Sequence, residues 1–123
     1  MSAPNAEQLR WRESVRGLGC LACGGYAQIH HVLGRTKKHN KVKIGHEFIL
    51  PLCKYHHDLV DHGNLGLKLM KEDMIFRLFD FEASAVELWS WMDLQKTLFR
   101  YVLEKREPPF GDDVIEAIMD YHK

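Results

Sequence analysis

Two short motifs, Cys20-x-x-Cys23 and Cys53-x-x-His56, constrain the fold of this 123-residue chain more than any other feature. The stretch between Cys23 and Cys53 is 29 residues long. Zinc takes thiolates and imidazoles as tetrahedral ligands, and a two-residue spacing lets one turn of backbone present two ligands at once. The pattern therefore predicts a closed, structural zinc site whose four ligands are Cys20, Cys23, Cys53 and His56.

Redox chemistry is the alternative role for the cysteines, because Cys20 and Cys23 alone would suit a dithiol. The glycines after Cys23 and the matching second motif favour zinc. Three cysteines cannot all pair within one chain, and the N-terminus has no signal-peptide pattern. We therefore expect a cytoplasmic protein in a reducing compartment. The apolar runs are short, so no membrane partner is expected.

Capping and periodicity signals predict an α+β fold. The predicted elements are a helix over 5–16, strands within 27–33 and 47–52 joined by a polar loop over 34–46, a helix over 54–62 ended near Gly63, a short helix within 71–80, a helix over 84–106 and a last helix over 113–121. The capping box of the helix over 84–106 would be Ser84 with Glu87. The apolar stripe of that helix predicts a core or dimer contact rather than a ligand site.

Histidines are concentrated in one part of the chain, because seven of the eight lie between residues 30 and 62. Besides His56, the histidines that could form a site are His30, His31, His46, His57 and His62. Hydrolysis of a phosphodiester needs a base near neutral pH and a divalent ion that stabilises the phosphate. His30, His57 and His62 could hold that ion, and His31 could be the base. Alternatively, each histidine is an ordinary surface or core residue.

Whether His30 and His31 can serve one site depends on the geometry of the strand that carries them. Neighbouring residues in a regular strand point to opposite faces. Both can therefore serve one site only if the strand ends or bends there, and the nearby Gly34 is compatible with such an end.

Positive charge is concentrated in the first half of the chain, although the formal net charge is zero. Residues 1–71 hold 11 Lys and Arg against 5 Asp and Glu, and residues 72–123 hold 6 against 12. Such a chain could meet a polyanion with one face, or the two halves could neutralise each other. The basic residues of the polar loop are Arg35, Lys37, Lys38, Lys41 and Lys43. With Arg10, Arg12 and Arg16 they could clamp a nucleic-acid backbone, or the loop could simply be solvated.

The order of these motifs resembles that of an HNH (ββα-metal) nuclease. More narrowly, "GCLAC…IHHVLG…GHEFILPLCKYHH…HGN" is similar to the phage recombination-enhancement, RecA-dependent DNA nucleases over about residues 17–80. The resemblance implies a zinc-stapled ββα-metal (HNH) core with an N-terminal helix and a helical extension over 81–123, all in one domain over 1–123.

The resemblance also implies a function. It implies a metal-dependent DNA endonuclease of phage recombination, acting in the cytoplasm of the bacterial host. Its cofactors would be a structural Zn²⁺ and a catalytic Mg²⁺ or Mn²⁺. In crystals, Zn²⁺ could occupy the catalytic site instead. Its partners would be DNA and a RecA-type recombinase filament, and its oligomeric state is open between monomer and dimer.

Residue roles follow from the same resemblance. His30, His57 and His62 would bind the catalytic ion, His31 would be the general base, and His46 matches a histidine without an assigned role. The family's asparagine before Cys53 has no counterpart here. His57 and His62 are five residues apart, so His62 is expected just past the helix end, beside Gly63.

Two other functions stay open from the sequence. One is a zinc-stapled DNA-binding module without catalysis. The other is a partner-binding protein whose acidic helical half docks onto a recombinase.

Overall fold

A computed structural model describes residues 3–74 and 90–121 of the chain. The fold is mixed α+β, as the sequence predicts. The elements are α1 (Ala6–Arg16), β1 (Gln28–His31), β2 (Lys38–His39), β3 (Val42–Lys43), β4 (Ile49–Leu52), α2 (Lys54–Leu59), a 3₁₀ turn (Val60–His62), α3 (Gly63–Met74), α4 (Trp91–Lys105) and α5 (Asp112–Asp120). In this part of the chain no helix is both long and apolar enough to cross a membrane.

Helix α1 begins with a complete capping box, as its sequence predicts. The side chain of Asn5 accepts from the backbone N–H of Gln8 at 2.8 Å, and the Gln8 side chain accepts from the backbone N–H of Asn5 at 2.9 Å. The helix buries Trp11 and Val15, and the Trp11 indole donates to the carbonyl of Glu47 at 3.0 Å. These contacts fix α1 against the segment that leads into β4.

Strands β1 and β4 form a two-stranded antiparallel sheet, in which His30 is opposite Leu50 and His31 is opposite Ile49. Strand β4 is buried along its whole length, and Pro51 lies at its second-last position. Proline lacks an N–H donor, which confines it to edges or strand ends. Helix α2 follows β4 after Cys53 alone, so the histidines of β1 and α2 are brought close together.

The polar loop over 34–46 contains a small hairpin that the sequence did not predict. Strands β2 and β3 pair antiparallel, with Lys38 opposite Lys43. The turn residues Asn40 and Lys41 both have positive φ, 51° and 68°. Two central residues with positive φ match the type I′ turn, whose twist suits two-residue hairpins. Each strand is only two residues long and rich in charge, so no alternating pattern marks it.

Helix α4 begins later than its predicted start. Ser90 is extended (ψ 165°), and its side chain accepts from the N–H of Asp93 at 3.1 Å, so the helix starts at Trp91. The predicted capping box of Ser84 and Glu87 lies outside the described residues, as does most of the helix predicted within 71–80. Helix α5 agrees with the prediction for the last helix to within one residue.

The hydrophobic core joins α4 to the sheet. The rings of Phe48 and Phe99 meet edge to face, with centroids 5.1 Å apart. Leu98, Phe99 and Val102 are buried, which confirms the predicted core role for these members of the apolar stripe.

Candidate metal centre and histidine site

Cys20, Cys23, Cys53 and His56 form a potential metal-binding group, as the sequence predicts. Their ligand atoms all lie within 4.8 Å of one another. The Sγ atoms of Cys23 and Cys53 are 3.7 Å apart, and the Nδ1 atom of His56 lies 3.5 Å from Cys20 Sγ and 3.1 Å from Cys53 Sγ.

These separations suit a tetrahedral ion. Zinc–sulfur bonds of about 2.3 Å and zinc–nitrogen bonds of about 2.0 Å place two sulfurs about 3.8 Å apart, and a sulfur and a nitrogen about 3.5 Å apart. Two of these three separations agree with this geometry within 0.1 Å, and the Cys53–His56 separation is shorter. A donor set of three sulfurs and one nitrogen favours zinc over harder divalent ions.

Local backbone structure presents the ligands in two turns. In the first turn, the N–H of Gly24 donates to the Cys20 carbonyl at 2.8 Å, and Gly24 has a φ of 77°. Glycine adopts this left-handed conformation without a Cβ penalty. In the second turn, Cys53 is the N-cap of α2, and its Sγ accepts from the N–H of His56 at 3.5 Å.

The pKa values of the cysteine thiols indicate that the site needs a cation before all of them can ionise. Burial raises the pKa of Cys20, but hydrogen bonds from the backbone N–H groups of Cys53, Cys23 and Ala22 lower it by more. The net effect is a pKa lowered to about 7. Desolvation and the neighbouring sulfurs of Cys20 and Cys53 raise the pKa of Cys23 to about 11. Three thiols this close cannot all ionise unless a positive charge lies between them. A divalent ion supplies that charge.

His30 and His57 come together on one side of β1. Their rings meet edge to face, with centroids 4.9 Å apart. His30 is buried, and its Nε2 atom lies 2.9 Å from Oε1 of Gln95 on α4. Burial lowers the pKa of His30, His57 lowers it further, and the Gln95 hydrogen bond and the Asp61 carboxylate act in the opposite direction. A neutral imidazole is the form that binds a metal ion.

His31 meets a different partner, as strand alternation requires. Its ring lies edge to face with that of His46, with centroids 5.4 Å apart. Burial, followed by His46, Arg35 and Arg12, lowers the pKa of His31 to about 4. His31 is therefore neutral at pH 7, and the same causes make it a weaker base than a free imidazole. Two guanidinium groups lie within electrostatic range of it.

His62 lies past the end of α2, as its spacing predicts. Helix α2 ends at Leu59, and His62 is the exposed last residue of the 3₁₀ turn, beside Gly63. Among residues 3–74 and 90–121, Cys20, Cys23, Cys53 and His56 are the one set of three or more His, Cys, Asp or Glu whose ligand atoms converge. In the structure His30 therefore contacts His57, but His62 does not join them in a second set of converging ligand atoms.

A basic cavity of about 220 Å³ lies beside His46. Its cationic lining residues are Arg35, Lys37, Lys38 and Lys43. The predicted basic loop is therefore folded into the wall of a cavity next to the His31–His46 pair. Lys41 does not line it and instead occupies the hairpin turn.

The basic hairpin is held by the C-terminal helix. His39 Nε2 and the Asp120 carboxylate are 2.9 Å apart, and the Lys37 ammonium lies 4.7 Å from the centre of the Tyr121 ring. Lys96 is buried on α4 and donates to the carbonyls of Met119 and Tyr121. These contacts tie the end of α5 to both α4 and the hairpin.

Gln95 was not among the residues that the sequence predicted for the site. The one available signal was a polar residue within the apolar stripe of its helix. Nothing in that pattern pairs it with His30, because 65 positions separate the two residues.

Comparison with protein families gives one finding for this chain. The model of the family described as "Recombination enhancement, RecA-dependent nuclease" matches residues 4–73, more than half of the chain. That range includes all the histidines and cysteines discussed above. Comparison with curated proteins and with solved structures gives no match.

Proposed function

Because this chain belongs to the recombination-enhancement, RecA-dependent nuclease family, we propose that it is a metal-dependent endonuclease that hydrolyses DNA phosphodiester bonds. The observation that carries the proposal is the family match over residues 4–73, which contains every predicted ligand and the predicted base. We assign the chain to the HNH type. The antiparallel pair β1–β4 followed at once by α2 supports that assignment.

Cys20, Cys23, Cys53 and His56 would hold a structural Zn²⁺. This site is closed, because all four ligands come from the protein and none is left for water or substrate. It would fix the turn before β1 to the start of α2. The ion would thereby set the distance between the histidines on these two elements.

His30, His57 and His62 would hold the catalytic ion, Mg²⁺ or Mn²⁺. Such an ion supplies positive charge to the phosphate and to the leaving oxygen. His30 and His57 are already adjacent, with ring centroids 4.9 Å apart. His62 stands on a short exposed turn and would complete the set by a movement of that turn.

His31 would act as the general base, taking a proton from the water that attacks phosphorus. Its neutral ring at pH 7 has a free lone pair for that proton. Arg35 and Arg12, which lie within electrostatic range of His31, would attract the phosphate on which the water acts. His46, edge to face with His31, would limit the orientations open to the His31 ring.

The basic cavity beside His46 would contact the DNA backbone. Arg35, Lys37, Lys38 and Lys43 line it, and we extend the contact surface to Lys41 at the hairpin turn. Contacts of this kind give affinity and salt dependence without reading bases.

A RecA-type filament is the second proposed partner, as the family's name indicates. We place the activity in phage recombination, in the cytoplasm of the bacterial host. Helix α5 carries exposed acidic residues at Asp112, Asp113 and Glu116, which offer a surface for a basic partner.

The direct test is DNA cleavage by the purified protein. Supercoiled plasmid and single-stranded circles would be incubated in Mg²⁺, Mn²⁺ or EDTA, with and without a RecA-type filament. The proposal predicts divalent-dependent cutting, with the filament required. Binding without cutting under every condition would contradict it.

One observation favours a second candidate, a zinc-stapled DNA-binding or recombinase-partner module without catalysis. In the described part of the chain the cysteine-rich set is the one convergent ligand group, and the histidines do not form another. This candidate predicts normal DNA binding and no cleavage in any divalent ion.

A further inference from the structure

Helix α4 contributes a buried polar contact to the histidine site. Gln95 and His30 are 6% and 7% exposed, and Oε1 of Gln95 lies 2.9 Å from Nε2 of His30. Gln95 belongs to the part of the chain beyond residues 4–73, where the family match ends. A residue outside the matched region therefore contacts one of the predicted metal ligands directly.

The hydrogen bond to Gln95 determines which ring nitrogen of His30 carries the proton. An amide oxygen only accepts hydrogen bonds, so the contact forms when Nε2 of His30 bears the hydrogen. The lone pair of the neutral ring is then on Nδ1. Ligand histidines in metal sites commonly donate their other ring N–H to an oxygen acceptor, which fixes the tautomer and the ring orientation.

We propose that Gln95 is a positioning residue, which holds His30 in the Nε2–H tautomer and so reserves Nδ1 for the catalytic divalent ion. The role of His30 as a ligand is part of the proposed function, and the inference depends on it to that extent. The C-terminal helices would then complete the catalytic site rather than only cover the core.

The surroundings of Gln95 are mostly apolar. Its neighbours in a cavity of about 310 Å³ include Leu33, Val60 and Met92. Helix α4 is also anchored at its first residue, where the Trp91 indole donates to the carbonyl of Gly63 at 3.0 Å. Gly63 follows His62, so α4 contacts both the strand that carries His30 and the residue next to His62.

The proposal is tested by measuring the tautomer and the ion requirement together. Long-range ¹H–¹⁵N spectra of ¹⁵N-histidine-labelled, zinc-loaded protein report which ring nitrogen of His30 is protonated, with the His30 signals assigned by their loss in His30→Gln. We expect the Nε2–H form in the wild type and in Gln95→Glu, because a carboxylate also accepts. Gln95→Met keeps the approximate size but removes the acceptor, so a mixture of tautomers is expected.

The same variants are then compared in DNA cleavage at increasing Mn²⁺ concentration. Gln95→Met should raise the Mn²⁺ concentration for half-maximal cleavage by about 10- to 100-fold, the usual effect of losing a partner of a metal ligand. Gln95→Glu should restore it. Thr97→Val is the matched control, since it removes a hydrogen bond to the Asp93 carbonyl on the same helix and should change neither readout.

Any of three results would overturn the proposal. The first is an Nδ1–H tautomer of His30 in the wild type. The second is an unchanged tautomer in Gln95→Met, and the third is an unchanged ion requirement in Gln95→Met. Failure of the proposed function gives a different result: the wild type does not cut DNA in any ion, while the spectra still decide whether Gln95 holds the tautomer.

Discussion

The Sγ atoms of Cys23 and Cys53 lie 3.7 Å apart, although the two residues are 30 positions apart in the chain. A disulfide would require about 2.05 Å, so this pair is not bonded. The separation is the one that two thiolates adopt on a single tetrahedral ion. The turn before β1 and the start of α2 therefore meet at a place where a cation would hold them.

Replacing Cys53 with serine should remove the zinc and destabilise the fold. Serine is a good N-cap, so Cys53→Ser keeps the start of α2 and removes only the ligand. We expect the zinc content, measured by atomic emission, to fall well below one ion per chain, and the Tm to drop by more than 10 °C (about 2 kcal/mol or more at this chain length). An unchanged Tm after complete zinc removal would contradict a structural role for the ion.

The turn after α2 should supply the third ligand of the catalytic ion. We assign this ligand to His62, but the Asp61 carboxylate is the group of that turn that acts electrostatically on His30. His62→Ala should raise the Mn²⁺ concentration for half-maximal cleavage at least tenfold, and Asp61→Asn should have a smaller effect. If Asp61→Asn had the larger effect, the third ligand would be Asp61 and not His62. Both variants should keep their structural zinc.

The cavity lysines should control DNA affinity through charge alone. Lys38→Ala combined with Lys43→Ala should weaken DNA binding and reduce the slope of log K against log salt by about 2, about 1 for each lost phosphate contact. Lys54→Ala is the matched control, because Lys54 is an exposed lysine paired with Asp58 and lies outside the cavity. An equal loss in the control would show that net charge, and not this cavity, attracts the DNA.

Phe99 should be essential for the stability of the sheet that carries the histidines. Its ring packs edge to face on Phe48, which directly precedes β4, and it has no exposed surface. Phe99→Ala should cost about 3–5 kcal/mol of unfolding free energy, as measured by denaturant titration. Leu65→Ala, at an exposed position of α3, should cost less than about 1 kcal/mol. Similar costs for the two variants would mean that α4 does not support the sheet.

Residues close in sequence were the most predictable part of this molecule. The capping box of α1, the short strands around His30 and Leu50, and the two metal-ligand motifs each follow from spacing over a few residues. The helix predicted over 54–62 was located correctly at its start, but its α-helical part ends at Leu59 and continues as the 3₁₀ turn that carries His62.

Contacts between distant segments could not be predicted in the same way. The hairpin of β2 and β3 has no alternating pattern, and its turn is recognisable only from the positive φ of Asn40 and Lys41. The contact of Gln95 with His30 depends on how α4 packs, which no local pattern encodes. The start of α4 was misplaced because two serines, Ser84 and Ser90, are each able to cap a helix, and the capping box favoured the first.

The measurement that tests the central claim most directly is single-turnover DNA cleavage by the wild type and by His31→Ala, in Mg²⁺ and with a RecA-type filament. We expect His31→Ala to retain its zinc and its DNA affinity but to cut about 10²- to 10⁴-fold more slowly, the usual contribution of a general base. Thr97→Val, which removes a hydrogen bond to the Asp93 carbonyl on α4, should cut within a few-fold of the wild type at saturating protein. Equal cleavage rates for His31→Ala and the wild type would contradict a general-base role for His31.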